Sequence, residues 1–373
     1  MEILFKNATI YPVSSPMLEV ADLLVKDGKI KKISRHIQEK PEMEVIHCAR
    51  MPLFPGFIDA HTHVGLYDEG TGWAGSDANE TVEALTPHVR ALDGVHPLDI
   101  AFKDAYRHGV TAIQVLPGSA NIIGGTTSVL KTYGNNINKM MIRQQAGLKI
   151  ALGENPKRVH SQSNNDSITR MGIMGLLREA FFHASRSKHP DDPRVAPLIA
   201  ALNKMIPVRV HAHRADDILS AVRLADEFNL DLRIEHCTEG HLIAEELRGR
   251  NLKVTVGPTM TRRSKIELKN KTWDTYRVLN ENGIEVSITT DHPYVPIQYL
   301  NIAAAIAVRE GLQEDRAIEA ITINPARSLG VEDRIGSLEV GKDADIVLWS
   351  HHPFHYLAKP IITMIDGKII HKK

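Results

Sequence analysis

Apolar and polar residues alternate over short runs from residue 1 to about 52, the two-residue period of antiparallel strands with one face in water. Leu23-Leu24-Val25-Lys26-Asp27-Gly28-Lys29-Ile30 sets an Asp-Gly pair between two such runs, which predicts a tight hairpin turn. The far end repeats the device in Ile362-Thr363-Met364-Ile365-Asp366-Gly367-Lys368-Ile369-Ile370. Two terminal pieces of one β character predict a small β-sandwich domain built from 1–52 plus 336–373, with the middle of the chain inserted between them.

That middle, 53–335, alternates buried strand-like runs with helical stretches, the βαβ signature of a parallel sheet. Strands are predicted at 53–63, 110–116, 127–132, 148–154, 208–213, 232–236, 252–257 and 285–291. Eight strands in this spacing predict an α/β fold, a (β/α)8 TIM barrel with its active site at the C-terminal strand ends. Two segments, 66–95 and 155–193, are too long and polar for plain connectors, and lids on the barrel rim are the functional expectation for them. The second holds Ser161-Gln162-Ser163-Asn164-Asn165-Asp166 ahead of an apolar helical stretch over 171–184.

Composition narrows the class without choosing a reaction. Lys+Arg and Asp+Glu both number 45 in 373 residues, so no net charge draws the chain to nucleic acid or an anionic membrane. Two cysteines, Cys48 and Cys237, argue against a disulfide framework and for a reducing compartment. No leader-like N-terminal segment and no apolar run of about 20 residues is present, so a cytoplasmic protein with a small-molecule partner is expected. A homo-oligomer remains compatible with all of this.

The chemistry begins at Pro55-Gly56-Phe57-Ile58-Asp59-Ala60-His61-Thr62-His63. Alternate residues of a strand share one face, so His61 and His63 can converge on one ion from a rigid strand end. With 19 histidines in the chain such a pair arises by chance about once, and the context has to carry the reading. Three further strand ends supply it: Val208-Arg209-Val210-His211-Ala212-His213, Leu232-Arg233-Ile234-Glu235-His236, and Val286-Ser287-Ile288-Thr289-Thr290-Asp291-His292. Polar ligands at four strand ends are hard to ascribe to packing.

The first of these stretches resembles the first metal-binding strand of the amidohydrolase superfamily, and is similar in particular to its imidazolonepropionase- and prolidase-like branch. The run from Gly336 to Trp349 resembles the closing strands of the same superfamily. The resemblance implies a metal set of His61, His63, His211, His236 and Asp291, with His211 favoured over His213 within its own pair. It also implies a bridging ligand on the fourth strand. Lys149 matches the position of a carboxylated lysine in the prolidase-like branch, whereas Glu154 is a ready-made carboxylate that needs no modification and is the simpler choice.

One or two divalent ions are implied, zinc first and manganese, cobalt or iron as alternatives. Such ions bring the pKa of a bound water from 15.7 towards about 7, and Asp291 would take its proton and return it to the leaving amine. The expected reaction is hydrolysis of an amide C–N bond. Superfamily deaminases carry a glutamate three residues after the fifth-strand histidine, where this chain has Arg214. His213, Arg214, Arg158 and His292 are the candidate substrate contacts, and the basic residues after the strands, Lys157, His160, Arg262 and Arg263 with them, could bind a carboxylate or a phosphate and point to an anionic amide, a carboxylate-bearing one such as a dipeptide, N-acyl amino acid or cyclic amide being expected. The alternatives are a deaminase of the same superfamily and a non-catalytic barrel used for binding.

Overall fold

In the computed structural model, which describes residues 2–163 and 168–373, sixteen strands fall into two eight-stranded sheets. The terminal sheet contains β1 (Glu2–Ile10), β2 (Leu18–Lys26), β3 (Lys29–Ser34), β4 (Met43–His47) and β5 (Pro52–Pro55). The barrel sheet contains β6 (Phe57–Thr62), β7 (Val110–Val115), β8 (Ile123–Lys131), β9 (Met141–Ala151), β10 (Val208–Ala212), β11 (Leu232–His236), β12 (Lys253–Val256) and β13 (Glu285–Ile288). Three C-terminal strands, β14 (Ile346–Trp349), β15 (Pro360–Ile365) and β16 (Lys368–Lys372), return to the terminal sheet.

Both chain ends meet as the alternation implied. The terminal sheet runs β16-β15-β14-β5-β1-β2-β3, with β4 also paired to β1. In place of two separate sheets, the pairing gives one continuous sheet around its own apolar cluster, which includes Phe5, Ile10, Leu23, Leu348 and Met364. Its hairpins turn at Asp27-Gly28 and Asp366-Gly367, where all four residues have positive φ (51°, 76°, 48° and 73°). This is the backbone of a tight primed turn, in which glycine at the second position carries no Cβ penalty. The two turns touch: a Cβ on Gly367 would lie 2.6 Å from the Gly28 Cα.

The barrel differs from the expected one in two respects. The predicted strand over 53–63 is two strands in two sheets. Pro52–Pro55 pairs with β1 and β14, and after Gly56 the chain enters the barrel, where Phe57 bonds to the Gly109 carbonyl. An apolar run shows burial but not which core receives it. The strand predicted at 127–132 starts earlier and runs antiparallel to both β7 and β9, so seven strands point one way and β8 opposes them.

Closure between β13 and β6 is not a strand ladder. Ile58 N–H bonds to the Ile321 carbonyl (2.8 Å) and Ile288 N–H to the Ala320 carbonyl (2.9 Å), so residues 320–321 fill the seam. The expected helical stretch over 171–184 is the helix Arg170–Ser185. Among the described residues no helix is long and apolar enough to cross a membrane, and Cys48 and Cys237 are both free and buried.

Candidate metal centre

A cavity of about 410 Å³ opens at the C-terminal strand ends of the barrel, and His61, His63, Lys149, His211, His213, His236 and Asp291 all line it. His61 is the penultimate residue of β6 and His63 lies just past its end, their rings 5.6 Å apart, as two residues on one face of a strand should be. Two residues reach the cavity through unusual backbone. His236, the last residue of β11, and Asp291, three residues beyond β13, both have positive φ, 72° and 52°, and both line the cavity.

Hydrogen bonds decide which atoms face the centre. His63 gives its Nδ1 proton to the Leu116 carbonyl at 2.8 Å, and His236 gives its own to the Gly257 carbonyl at 2.8 Å. His61 bonds through Nδ1 to Glu235 Oε2 at 2.9 Å. Each leaves Nε2 for the cavity, the arrangement that fixes the tautomer of a ligating imidazole. Asp291 Oδ1 lies 3.3 Å from His61 Nε2 and 3.4 Å from His63 Nε2. Three buried atoms here, His61 Nε2, His211 Nδ1 and Asp291 Oδ1, have no hydrogen-bond partner in the protein.

Such orphans are costly unless something satisfies them, and imidazole nitrogens beside a carboxylate oxygen are donors suited to a divalent cation. Among the described residues two groups have the geometry: His61, His236 and Asp291, and His211, His213 and His236, with the donor atoms of each group within 4.8 Å of one another. The residues therefore fit a metal ion.

Electrostatics agree with that fit. Burial pushes the pKa values of His63, His211 and His213 below the ordinary imidazole range, and that of His236 down to about 3, so all four are neutral at pH 7. Neutral imidazole is the ligating form. Burial works against the charge on Asp291, but His61 and His63 outweigh it and hold its carboxyl well below the usual range. In His61, burial and Lys149 oppose protonation, yet Asp291 and Glu235 raise its pKa, so two carboxylates face this ring as they would face a cation.

The fourth-strand ambiguity separates spatially. β9 ends at Ala151, and Glu154 opens the helix Glu154–Ser163 rather than ending a strand. Its side chain lines a neighbouring cleft with Lys157, Arg170 and Arg214, outside the histidine cavity. Lys149 is fully buried in the cavity floor, its Nζ 3.1 Å from the Pro117 carbonyl, and burial lowers its pKa to about 8.

Among the expected substrate contacts, His213 and Arg158 line the cavity. Arg214 does not: it forks onto Asp216 (2.8 and 3.1 Å) in the neighbouring cleft. His292 is buried behind the wall, its Nδ1 accepting from Ile297 N–H at 3.2 Å. Both long segments expected as lids do contribute wall residues, Tyr67, Asn79 and Thr81 from one and Asn155 and Arg158 from the other. The stretch 164–167 expected in the second lies outside the described residues.

Sequence reasoning missed several residues. Asp59 is fully buried, and its carboxylate takes hydrogen bonds from Thr289 Oγ1 (2.6 Å), Thr290 Oγ1 (2.6 Å) and Thr290 N–H (3.0 Å), which joins β6 to the segment that carries Asp291. Burial raises its pKa to about 6. Lys265 Nζ reaches Asn155 Oδ1 at 2.7 Å on the cavity wall. The signal for Asp59 was present, as a carboxylate two residues before His61 in an otherwise apolar strand.

Comparison with known proteins supports the same assignment. A model described as the amidohydrolase family matches residues 53–370. A crystal structure of an amidohydrolase from Thermotoga maritima superposes over 100% of both chains with a TM-score of 0.96 and 42% identity. Amidohydrolase tasK of Hapsidospora irregularis is 29% identical over 93% of this chain, which spans 39% of that longer protein. An imidazolonepropionase of Thermoplasma acidophilum is 26% identical over 88% of this chain and 82% of its own length. On a family match across most of its length and a barrel with histidines and an aspartate at its strand ends, the chain belongs to the amidohydrolase family.

Proposed function

We propose that this amidohydrolase cleaves an amide C–N bond in a small, carboxylate-bearing molecule such as a dipeptide, an N-acyl amino acid or a cyclic amide. The observation that carries the reading is the convergence of His61, His63, His211, His236 and Asp291 on one cavity, where His61 Nε2 and Asp291 Oδ1 have no hydrogen-bond partner and lie 3.3 Å apart. His61, His63, His211, His236 and Asp291 would hold one or two divalent ions, zinc first for this set of nitrogen and carboxylate donors, and Lys149 on the cavity floor would add a carboxylate ligand if its amine were carboxylated. When bound, such an ion supplies Lewis acidity and an acidified water.

The chain's own groups do the rest. Asp291, anionic and beside His61 and His63, accepts the proton of the attacking water at its carboxylate and returns it to the leaving nitrogen. His213, its Nδ1 fixed on Thr238 Oγ1 at 2.7 Å, presents its other nitrogen to the substrate space. Arg158 and Lys265, on the same cavity wall, offer cations to the substrate carboxylate. A deaminase would use a carboxylate where this chain has Arg214, which faces the neighbouring cleft.

We read the chain as two units, expected as 1–52 plus 336–373 and 53–335, with the handover set at Gly56 because Pro52–Pro55 pairs in the terminal sheet, working in the cytoplasm on a diffusible small molecule. The test is elemental analysis of protein purified without chelator, followed by a hydrolysis screen over dipeptides, N-acyl amino acids and cyclic amides. With an active substrate, Arg158→Met is expected to lower kcat/KM by about 1.5–3 kcal/mol of charged hydrogen bonding, and Arg214→Met to leave it near wild type. Less than one metal per chain, with none taken up from added zinc or manganese, would overturn the reading.

A further inference from the structure

Behind His61, Arg209 and Glu235 form a buried ion pair that the hydrolytic reading leaves unused. Arg209 Nη1 donates to Glu235 Oε1 at 3.0 Å, and Glu235 Oε2 receives the Nδ1 proton of His61 at 2.9 Å. All three residues have 0% of their surface exposed. Arg209 is itself held from outside its strand, by the carbonyls of Ala146 (3.2 Å) and Ser328 (2.6 Å). Its side chain lies across Gly147, where a Cβ would come within 2.9 Å of Arg209 Cδ. β9 carries a glycine at the point where the arginine passes.

A buried Arg–Glu pair is a poor device for stability alone, since apolar residues of the same volume serve as well or better. The contrast among the histidines shows what this pair adds. His63 and His236 give their Nδ1 protons to neutral backbone carbonyls, whereas His61 alone of the three gives it to a carboxylate. The three bonds are alike in length, 2.8–2.9 Å, but a bond to an ionised acceptor is about twice as strong as one to a neutral carbonyl and makes the opposite ring nitrogen more basic. That opposite nitrogen is His61 Nε2, one of the buried atoms without a partner.

We infer that Glu235, anchored by Arg209, is a positioning residue that fixes His61 as its Nδ1–H tautomer and makes Nε2 the strongest imidazole donor of the centre. The inference rests on the metal reading above for its last clause, but not for the tautomer. If Glu235 served only to neutralise Arg209, removing both charges together would leave His61 undisturbed.

The experiment uses two variants, Glu235→Gln and the double variant Arg209→Met with Glu235→Leu, which leaves no unpaired buried charge. Protein labelled with ¹⁵N-histidine and stripped of metal reads the His61 tautomer by NMR at alkaline pH, where the ring between Asp291 and Glu235 carries a single proton, and competition with a chromogenic chelator reads zinc affinity. Wild type is expected to show a single Nδ1–H signature for His61 and the double variant a mixture of tautomers. Both variants should hold zinc about 10–100-fold more weakly. A folded double variant with the wild-type signature and zinc affinity within about twofold of wild type overturns the inference. Should the double variant not fold, unchanged zinc affinity in Glu235→Gln overturns it. A wild-type protein that takes up no zinc removes the metal reading instead, and the tautomer in the metal-free variants still decides the role of Glu235.

Discussion

Asp291 is the residue on which the proposed chemistry depends most directly, because it stands within 3.4 Å of two imidazoles and carries an unbonded oxygen. Asp291→Asn keeps the size of the side chain and one oxygen, so the fold should persist while kcat falls about 10²–10⁴-fold, the contribution of a positioned acid–base group. Near-normal turnover would assign the proton transfer to another group, His213 first. Lys149 and Glu154 allow a second residue-level prediction. Lys149→Ala is expected to reduce the metal retained per chain, and Glu154→Gln to leave it unchanged, because only Lys149 lines the histidine cavity. Elemental analysis of the two proteins decides, and equal loss in both would return Glu154 to the centre.

At the scale of elements, β8 does more than complete the barrel. Its last residue, Lys131, is 2% exposed and donates to Asp345 (2.6 Å) and Asp343 (3.1 Å), which precede β14, so one side chain ties the barrel to the terminal sheet. Burial opposes its charge, but Asp345, Asp366 and Asp343 outweigh that and raise its pKa. A lysine raised in the folded state stabilises fully below its unfolded pKa of about 10.4 and loses that contribution as pH climbs through the folded value. Asp343 acts at the other limit: burial opposes its charge, but Lys131 and Lys29 lower its pKa, so its contribution is lost as pH falls below the carboxylate range. Asp345, pushed up by burial, offsets part of the gain at neutral pH. Lys131→Met, which strands buried carboxylates, should cost about 3–5 kcal/mol at pH 7 and flatten the alkaline loss of stability. Urea midpoints of both proteins at pH 7 and above pH 10.5 check it, and parallel pH curves would refute it.

For the whole molecule, the centre draws on strands from across the barrel, β6, β10 and β11, and on the segment that follows β13. An ion held there joins elements distant in sequence and favours only the folded state. Stripping the protein with chelator is therefore expected to lower Tm, and zinc to restore it. Occupancy at about 100 times Kd contributes about 2.7 kcal/mol to folding. A Tm that does not respond to chelator or added zinc would place no ion in the centre.

Much of this was local and so legible along the chain. Asp27-Gly28 and Asp366-Gly367 specify their turns through the φ that only such residues adopt readily, and alternation marked the terminal strands. Strand ends and two-residue spacing are sequence properties, so residues that line the cavity, His61, His63, His211, His236 and Asp291, could be singled out along the chain, while their grouping as a ligand set came from the resemblance. The amidohydrolase reading itself followed from those motifs, and the family match bears it out. What the chain could not show was direction and partnership. Hydrophobic pattern is the same for a strand running up or down, so the reversal of β8 was decided by its neighbours. The run at 53–63 shows burial throughout, yet three different cores divide it, with Leu53 in one, Phe54 and Phe57 in a second and Ile58 in a third. Glu235 adjoins His236, and simple alternation sends their side chains apart. The left-handed backbone at His236 goes with its ring lining the cavity, while Glu235 stays outside it and meets His61 from another strand of the barrel. Sequence separates Glu235 from His61 by 174 residues, and tertiary closure brings their side chains to 2.9 Å.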